Sequence, residues 1–412
     1  MARGADSRPV TLVHHAAPFQ HVESVNRVAA PHGGARKFTG SRGRYHVEIA
    51  NETDEAELRS LMRATPMTGP IEVTFGREPN FFDAASVEGP FHQVLIARET
   101  STRRIVGMGS RSVRLRWVDG HRQPVGYLGG LRLLPEARHK TLLMRGYREL
   151  ACLHDDGRTD FYLTTIAEGN RPAISALTGA RAGLPAYYEL GRYLTFVLPL
   201  RRRVSARADP ERHIRPLDQQ DLPRFVDFLN TWGRDRLFFP CLTEDDFGPG
   251  AATFRDLGLD RVLCAWRGDQ LVGTLAAWDQ SSFRQTIVER YTGIVRWWKP
   301  FHNMYAAARG LPRFPAPGSQ LRNLTLALPI ADDDSGTLIL KLLAGLQQRH
   351  RSTTAADSLL LGLFERDPLV EAVRPLALHS YVTRVFVVTW DPASVRPERF
   401  TGRNLYLELG CL

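Results

Sequence analysis

Apolar and polar positions follow two periods along this chain, one typical of strands and one typical of helices. The clearest stretch begins with an apolar run over residues 125–133, which ends before Pro135, a residue that cannot continue a β-ladder. Three basic residues follow at 138–140, and apolar residues then recur at three- and four-residue spacing from Leu142 to Leu150. The pattern predicts a strand, a cationic loop and a helix, in that order.

This arrangement is suited to holding phosphate. The first backbone N–H groups of a helix have no partner inside the helix, and the helix dipole places partial positive charge at the same end. A basic loop that leads into such an end therefore favours anions. We expect an anionic group beside Arg138, His139 and Lys140.

The same two periods divide the first half of the chain into further elements. Helices are predicted after Thr53 and Asn170, which we interpret as N-terminal caps. Arg114 and Arg116 share one face of a strand, which we interpret as solvated. Residues 71–75 are predicted to lie in a loop-rich stretch, and residues 187–198 to form a closing hairpin. Strands are predicted over residues 45–50, 93–97, 105–117, 125–133 and 161–166.

The second half of the chain repeats this order of elements. The hairpin predicted over residues 262–278 (VLCAWRGDQLVGTLAAW) parallels the one over residues 94–110 (VLIARETSTRRIVGMGS), and both place I-V-G or L-V-G after the turn. Such a repeat predicts two tandem α/β domains. We divide the chain into a basic disordered tail (1–43), an N-terminal domain (44–200), a linker (201–212), a C-terminal domain (213–392) and a C-terminal tail (393–412).

An insertion over residues 279–320 interrupts the second domain. It contains the aromatic and basic stretch 294–302 and, shortly after it, Tyr305. We interpret these rings as packing over the open sheet of the second domain. A surface for an acidic or aromatic substrate, a membrane or a partner domain is the alternative.

Composition limits the classes of partner. The net charge is +10, but the basic residues are almost all arginine, with lysine only at positions 37, 140, 299 and 341. A bias that runs through the whole chain can reflect coding composition, and no strand shows aromatic residues set among lysines as in RNA-binding sheets. An anionic cofactor or substrate is favoured over nucleic acid.

The four cysteines form no C-x-x-C pair, which predicts neither a disulfide framework nor a metal site. No apolar run reaches the about 18 residues expected of a transmembrane helix, and the N-terminus lacks the apolar core of a signal peptide. We expect a cytoplasmic protein.

The stretch described first resembles motif A of the GCN5-related N-acetyltransferases, in which a strand ending L-x-V-x-P leads into R-x-x-G-x-G and a helix. Residues 131–135 (LRLLP) match the strand end and Arg138 matches the first loop residue, while Thr141 and Leu143 stand at the two glycine positions. Asn170 and the alanine three residues later resemble motif B, N-x-x-A.

The resemblance implies two tandem acetyltransferase-like domains of the α/β (α+β) class, each with a mixed, splayed, mostly antiparallel sheet flanked by helices. It also implies acetyl-CoA or another acyl-CoA as co-substrate, with the strand pairing with pantetheine and the loop holding pyrophosphate. The cofactor-binding residues implied are Leu131, Arg132, Leu133, Arg138, His139, Lys140, Thr141, Leu142, Leu143 and Asn170.

Candidate bases are three residues of the first domain. Glu72 falls in the part of the chain that forms the acceptor wall in the resembled family, Tyr127 projects from the central strand, and Glu168 follows the next strand. The family often uses a tyrosine as general acid seven residues after the motif B asparagine, where Leu177 stands here.

The second copy replaces the basic triplet with Asp332, Asp333 and Asp334. Carboxylates repel a pyrophosphate, so we assign acyl-CoA to the first domain. Three functions stay open: an acyl-CoA-dependent N-acyltransferase acting on an amine of a small molecule or peptide, which we favour; a non-catalytic tandem module that binds a ligand or protein; and an aminoacyl-tRNA-dependent transferase.

Overall fold

The structure is a computed structural model that describes residues 43–138, 140–179, 183–202, 204, 211–309, 311–332 and 336–412. The predicted tail, apart from residue 43, therefore lies outside the described residues, as do His139, Asp333 and Asp334. Within the described residues, no helix has the length and apolar character needed to cross a membrane.

The fold belongs to the α/β class, with a mostly antiparallel sheet flanked by helices, as predicted. The elements of the first half are β1 (Tyr45–Ile49), α1 (Glu55–Ala64), β2 (Ile71–Gly76), α2 (Phe81–Ala85), β3 (Phe91–Glu99), β4 (Ile105–Val118), β5 (His121–Leu133), α3 (Lys140–His154), β6 (Tyr162–Ala167), α4 (Arg171–Thr178) and β7 (Ala186–Pro199).

The second half repeats this order with additions. Its elements are β8 (His213–Pro216), α5 (Leu222–Gly233), β9 (Val262–Arg267), β10 (Gln270–Trp278), β11 (Gln285–Tyr291), α6 (Gly293–Arg309), β12 (Asn323–Ala331), α7 (Thr337–His350), β13 (Ser358–Phe364), α8 (Leu369–Val373), β14 (His379–Thr389) and α9 (Pro392–Val395).

The two halves share one sheet of 12 strands, in the order β1-β3-β4-β5-β6-β14-β7-β13-β12-β10-β9-β8. The last strand of the second half, β14, lies between β6 and β7 of the first half, and β7 in turn pairs with β13. The halves thus exchange their final strands. The predicted boundary near residues 201–212 is crossed by this exchange.

A second, two-stranded sheet joins the halves elsewhere. It pairs β2, from the stretch expected to be loop-rich, with β11 from the insertion. Neither strand was predicted, because each needs a partner about 210 residues away in the chain to satisfy its backbone hydrogen bonds.

Several local expectations are corrected. Asn51, rather than Thr53, caps the first helical turn, since its side chain accepts from Thr53 N and its backbone N–H is accepted by Asp54. The closing hairpin is a single strand, β7, with an irregularity where Gly191 has a φ of +142°.

The arginines expected on a solvated face of β4 are buried. Arg114 donates to the carbonyl of Val87 at 3.1 Å and Arg116 to that of Phe238 at 2.9 Å. The second half and residues from the C-terminal stretch 393–412 cover this face. That stretch, treated as a tail in the sequence, packs into the core through Leu405 and its neighbours.

Candidate functional site

The site begins where two parallel strands part. β5 and β6 pair only at Gly126–Tyr162 and Tyr127–Leu163. Thr164 Oγ1 then donates to the carbonyl of Leu128 at 2.7 Å, and beyond this point each strand continues beside its other neighbour. Within the described residues, one backbone edge of β5 from Gly129 to Leu133 therefore has no strand partner.

A bulge in β5 shapes this opening. The pairing of β4 with β5 is irregular between Met108 and Ser110, and Gly130 has a φ of +62° there, a conformation that favours glycine. The next residue, Leu131, is 40% exposed. A bound molecule can therefore reach the β5 backbone at the bulge.

The loop after β5 leads to the start of α3. Pro135–Ala137 forms one 3₁₀ turn, Arg138 is exposed and its Nε donates to the carbonyl of Leu133 at 3.4 Å, and α3 begins at Lys140. The first N–H groups of this 15-residue helix lie beside the loop. The predicted sequence of strand, cationic loop and helix is thus observed.

The other implied cofactor-binding residues take different positions around the opening. Thr141 is exposed, Leu142 is buried in the core beneath α3, and Leu143 is half-buried. Arg132, next to the bulge, donates to the carbonyl of Leu131 at 3.3 Å, and burial lowers the pKa of its guanidinium. Asn170 caps α4, accepting from Ala173 N at 3.3 Å.

Tyr127 is the last residue of β5 that pairs with β6, so it lies where the opening begins. Its hydroxyl is 2.8 Å from Thr165 Oγ1, and its ring lies close to Gly129. Burial raises the pKa of Tyr127 to about 12. The phenol therefore keeps its proton even in alkaline solution and is suited to donating a hydrogen bond.

A buried charge cluster lies behind the bulge. Glu88 accepts from Arg284 Nη2 at 3.0 Å, and its other carboxylate oxygen is 3.3 Å from His92 Nε2 and 3.4 Å from Ser110 Oγ. Ser110 is paired with Gly129 across the strands. The cluster thus reaches the opening through one serine.

The electrostatics of this cluster keep its carboxylate ionised. Burial raises the pKa of Glu88, but the hydrogen bond from His92 and the charges of His92, Arg284 and Arg77 outweigh it and lower that pKa to about 2. Burial and the charge of Arg284 lower the pKa of Arg77 to about 9. An ionised Glu88 gives His92 a fixed acceptor.

None of Glu88, His92 or Arg284 was predicted as a site residue. Arg284 lies 196 residues after its partner Glu88, and no local spacing marks either one. The alternation of polar residues along β4, from Ser110 through Arg116, is the one signal that pointed to this face.

Glu72 and Glu168 both form ion pairs. Glu72 is buried on β2, and Arg290 on β11 binds both of its carboxylate oxygens at 2.7 and 2.9 Å. Glu168, at the end of β6, pairs with Arg192 at 2.9 Å and lines an open depression of about 580 Å³ together with Arg384 and the start of α4. Either carboxylate would have to leave its arginine to act as a base.

The second half contains an equivalent opening that is filled. β12 and β13 are parallel from Asn323–Ser358 to Leu326–Leu361 and then part, and Leu328 has a φ of +53° where Gly130 stands in the first half. The carboxylate of Glu408 occupies this opening. It accepts from Leu328 N at 3.1 Å and from the hydroxyl of Tyr406 at 2.6 Å.

No family model matches the chain, and no curated protein matches it in sequence. Solved structures do match. Saccharomyces cerevisiae N-myristoyltransferase with bound myristoyl-CoA is 10% identical over 86% of this chain and 81% of that chain, with a TM-score of 0.56. The same enzyme with myristoyl-CoA and inhibitors is 9% identical over 84% and 80%, with a TM-score of 0.54.

A GCN5-related N-acetyltransferase from Anabaena variabilis is 9% identical over 84% of this chain and 73% of that chain, with a TM-score of 0.46. At these identities the N-myristoyltransferase matches, whose TM-scores exceed 0.5, show a fold. The predicted resemblance to GCN5-related N-acetyltransferases is confirmed at that level.

Proposed function

We propose that this protein is an acyl-CoA-dependent N-acyltransferase whose active site is the opening between β5 and β6. It transfers an acetyl group or another acyl group to an amine of a small molecule or peptide. The observation that carries the proposal is the unequal state of the two openings. The first is accessible and leads to a cationic loop and the start of α3, and the second is filled by Glu408.

The donor binds along the first opening in this proposal. The pantetheine arm pairs with the free edge of β5 near Leu131, and the pyrophosphate lies at the start of α3 beside Arg138 and Lys140. A backbone N–H at the β5 bulge polarises the thioester carbonyl and stabilises the oxyanion that forms there. The N-myristoyltransferase structures that contain myristoyl-CoA support an acyl-CoA in this fold.

The amine attacks the carbonyl carbon, the C–N bond forms, and the C–S bond then breaks. Tyr127 donates a hydrogen bond to the leaving thiolate and keeps its proton, which agrees with a pKa raised by burial to about 12. The proton that the amine loses passes through water in the accessible opening to the thiolate sulfur. This assigns Tyr127 the role of hydrogen-bond donor to the leaving group and leaves Glu72 and Glu168 in structural ion pairs.

Calorimetric titration of the purified protein with acetyl-CoA and with a longer acyl-CoA tests the donor site. We expect one binding site per chain. Arg138→Ala should weaken binding about 10- to 150-fold, since a charge-assisted hydrogen bond contributes about 1.5–3 kcal/mol. Lys140→Glu should weaken it further, because it places a negative charge at the helix start.

Asp332→Asn is the matched control, because Asp332 precedes the equivalent helix of the second half and pairs with Arg267 at 3.6 Å. It should leave binding unchanged. A folded protein that binds neither acyl-CoA would contradict the proposal and favour a non-catalytic module. Binding that depends on Asp332 and not on Arg138 would assign the donor to the other half.

A further inference from the structure

The helix α6 presents its apolar side to solvent. Its large exposed side chains recur at three- and four-residue spacing, which places them on one face of the helix. The side chains, which we call the outer stripe, are Ile294, Trp297, Trp298, Phe301, Met304 and Tyr305, and Trp297 is 74% exposed. A stripe of this width normally covers a core. Here it faces outward.

The opposite side of α6 attaches the helix to the protein through polar groups. Asn303 Nδ2 donates to the carbonyl of Phe314 at 2.9 Å, and its Oδ1 accepts from Phe314 N at 2.8 Å. The ring of His302 lies 4.3 Å from that of Phe314, and Lys299 Nζ lies 4.5 Å from the ring of Tyr291. Ala306 is fully buried. These contacts fix the rotation of the helix, so the outer stripe is held outward.

This arrangement overturns the interpretation that the aromatic stretch packs over the second half's sheet. The sheet is covered without it, by the contacts of α5 and α7 with β9, β10 and β12. Exposed aromatic rings of this number have an energetic cost in water. A surface that covers them would remove that cost.

Charge identifies the covering surface. Residues 290–331 contain no aspartate or glutamate and six basic residues, which include both arginines of α6, Arg296 and Arg309. Their guanidinium groups lie over the exposed rings of Trp297 and Tyr305, at 5.8 and 5.5 Å. The outer stripe is therefore surrounded by positive charge.

We propose that α6 docks on the surface of a bilayer that contains anionic phospholipid. The outer stripe enters the boundary between headgroups and acyl chains, and the exposed Arg296, Arg309 and Arg313 meet the headgroup phosphates. Tryptophan and tyrosine favour this boundary, since each combines an apolar ring with a polar group. A helix with apolar residues on one face and basic residues around them lies in the plane of such a surface.

A second copy of the chain fits this face less well. Two outer stripes packed together would bring their basic margins into contact, and no carboxylate within residues 290–331 would balance them. The docking proposal does not rest on the proposed function, because it uses no residue of the β5–β6 opening.

Flotation of the full chain with vesicles tests the proposal. Binding is expected to vesicles of phosphatidylcholine mixed with phosphatidylglycerol, with little binding to phosphatidylcholine alone and a decrease at high salt. Arg296→Gln with Arg309→Gln should weaken binding about 30-fold, since each cation contributes about 1 kcal/mol at an anionic surface. Trp297→Glu with Phe301→Glu should weaken it more.

The control is Tyr381→Glu, because Tyr381 is an exposed aromatic on β14, outside α6. It should bind vesicles as the unmodified chain does. If the double glutamate variant fails to fold, Trp297→Gln with Met304→Gln gives the same test with neutral side chains.

Three outcomes would overturn the proposal. The first is that the chain stays with the soluble fraction in both vesicle preparations. The second is that the outer-stripe variants bind vesicles as tightly as the unmodified chain. The third is that sedimentation velocity without lipid shows a dimer that Trp297→Glu dissociates, which would assign the outer stripe to a second copy.

Discussion

The two openings of the sheet differ most clearly in the glutamate that lies beside each. Glu88, near the first opening, faces two arginines and a histidine, and these neighbours lower its pKa to about 2. Glu408, in the second opening, faces a phenol and backbone N–H groups, and burial raises its pKa. The first carboxyl stabilises cations beside a space that is accessible. The second accepts a hydrogen bond from the strand backbone and so fills its opening from within the protein.

The comparison shows how one fold can leave a strand edge open in one half and cover the equivalent edge in the other half. Parting of parallel strands leaves backbone groups without partners, and an unpaired buried N–H is costly. The second half satisfies such a group permanently with Glu408. The first half leaves the corresponding edge for a bound molecule.

The largest expected effect concerns the exchange of strands between the halves. A chain limited to residues 43–204 lacks β13 and β14, so β6 would lose one partner and β7 would lose both of its partners in the sheet. We expect no cooperative unfolding of this piece in urea. Co-expression with residues 211–412 should restore it, and a cooperative transition of the piece alone would show that the halves fold independently.

Glu88→Gln tests the first carboxyl. It leaves Arg284 and Arg77 without a counter-charge in a buried cluster, so the free energy of unfolding at neutral pH should fall by about 3 kcal/mol. Urea denaturation measures this change. An unchanged midpoint would mean that solvent, and not Glu88, balances the two arginines.

The same carboxyl predicts a pH dependence. Its folded-state pKa of about 2 lies below the ordinary value of 4.5, so its contribution to stability is fully present above pH 4.5 and is lost as the pH falls toward 2. Glu88→Gln should flatten the stability profile across this window. A profile as steep as that of the unmodified protein would assign the acid sensitivity to other groups.

Tyr127→Phe tests the proposed hydrogen bond to the leaving thiolate. Turnover should fall about 100-fold, while the dissociation constant of the acyl-CoA stays the same, because the hydroxyl acts when the thiolate leaves. Tyr147→Phe is the control, since burial also raises the pKa of Tyr147 to about 12 but its hydroxyl contacts Tyr187 in the core. Equal losses in the two variants would argue against a chemical role for Tyr127.

The smallest effect is expected for Glu408→Gln. Burial favours the neutral form of this carboxyl, and glutamine keeps a neutral polar group that can accept from Leu328 N, so we expect a loss of about 1 kcal/mol. Because the folded-state pKa is raised, the stability contributed by Glu408 is present below its ordinary pKa and is lost as the pH rises through the raised value. A loss as large as that of Glu88→Gln would show that Glu408 is ionised.

Elements with a strong local pattern could be predicted from the sequence. The β5 strand, the loop at Arg138 and the helix α3 were found in the predicted order. The signals that mark these elements, an apolar period and a nearby proline or cationic stretch, lie within a few residues of one another in the sequence.

Strand partners and buried charges could not be predicted in this way. The apolar patterns of β7 and β14 resemble those of the neighbouring strands. Nothing in either sequence indicates that these two strands pair in the centre of the sheet. Glu88 and Arg284 meet only after both halves have packed. The outer stripe of α6 has the same spacing as a core-facing helix, and the period alone does not say which way the stripe points.

The exchange of strands also has a consequence for synthesis on the ribosome. The edge of β6 that β14 will cover is complete after the first 167 residues, but its partner strand is made only at residues 379–389. During that interval the nascent chain has an unpaired strand edge in what becomes the middle of the sheet, and such edges promote aggregation. The order of translation thus makes the newly made first half dependent on protection, by a chaperone or by the ribosome surface, until the second half emerges.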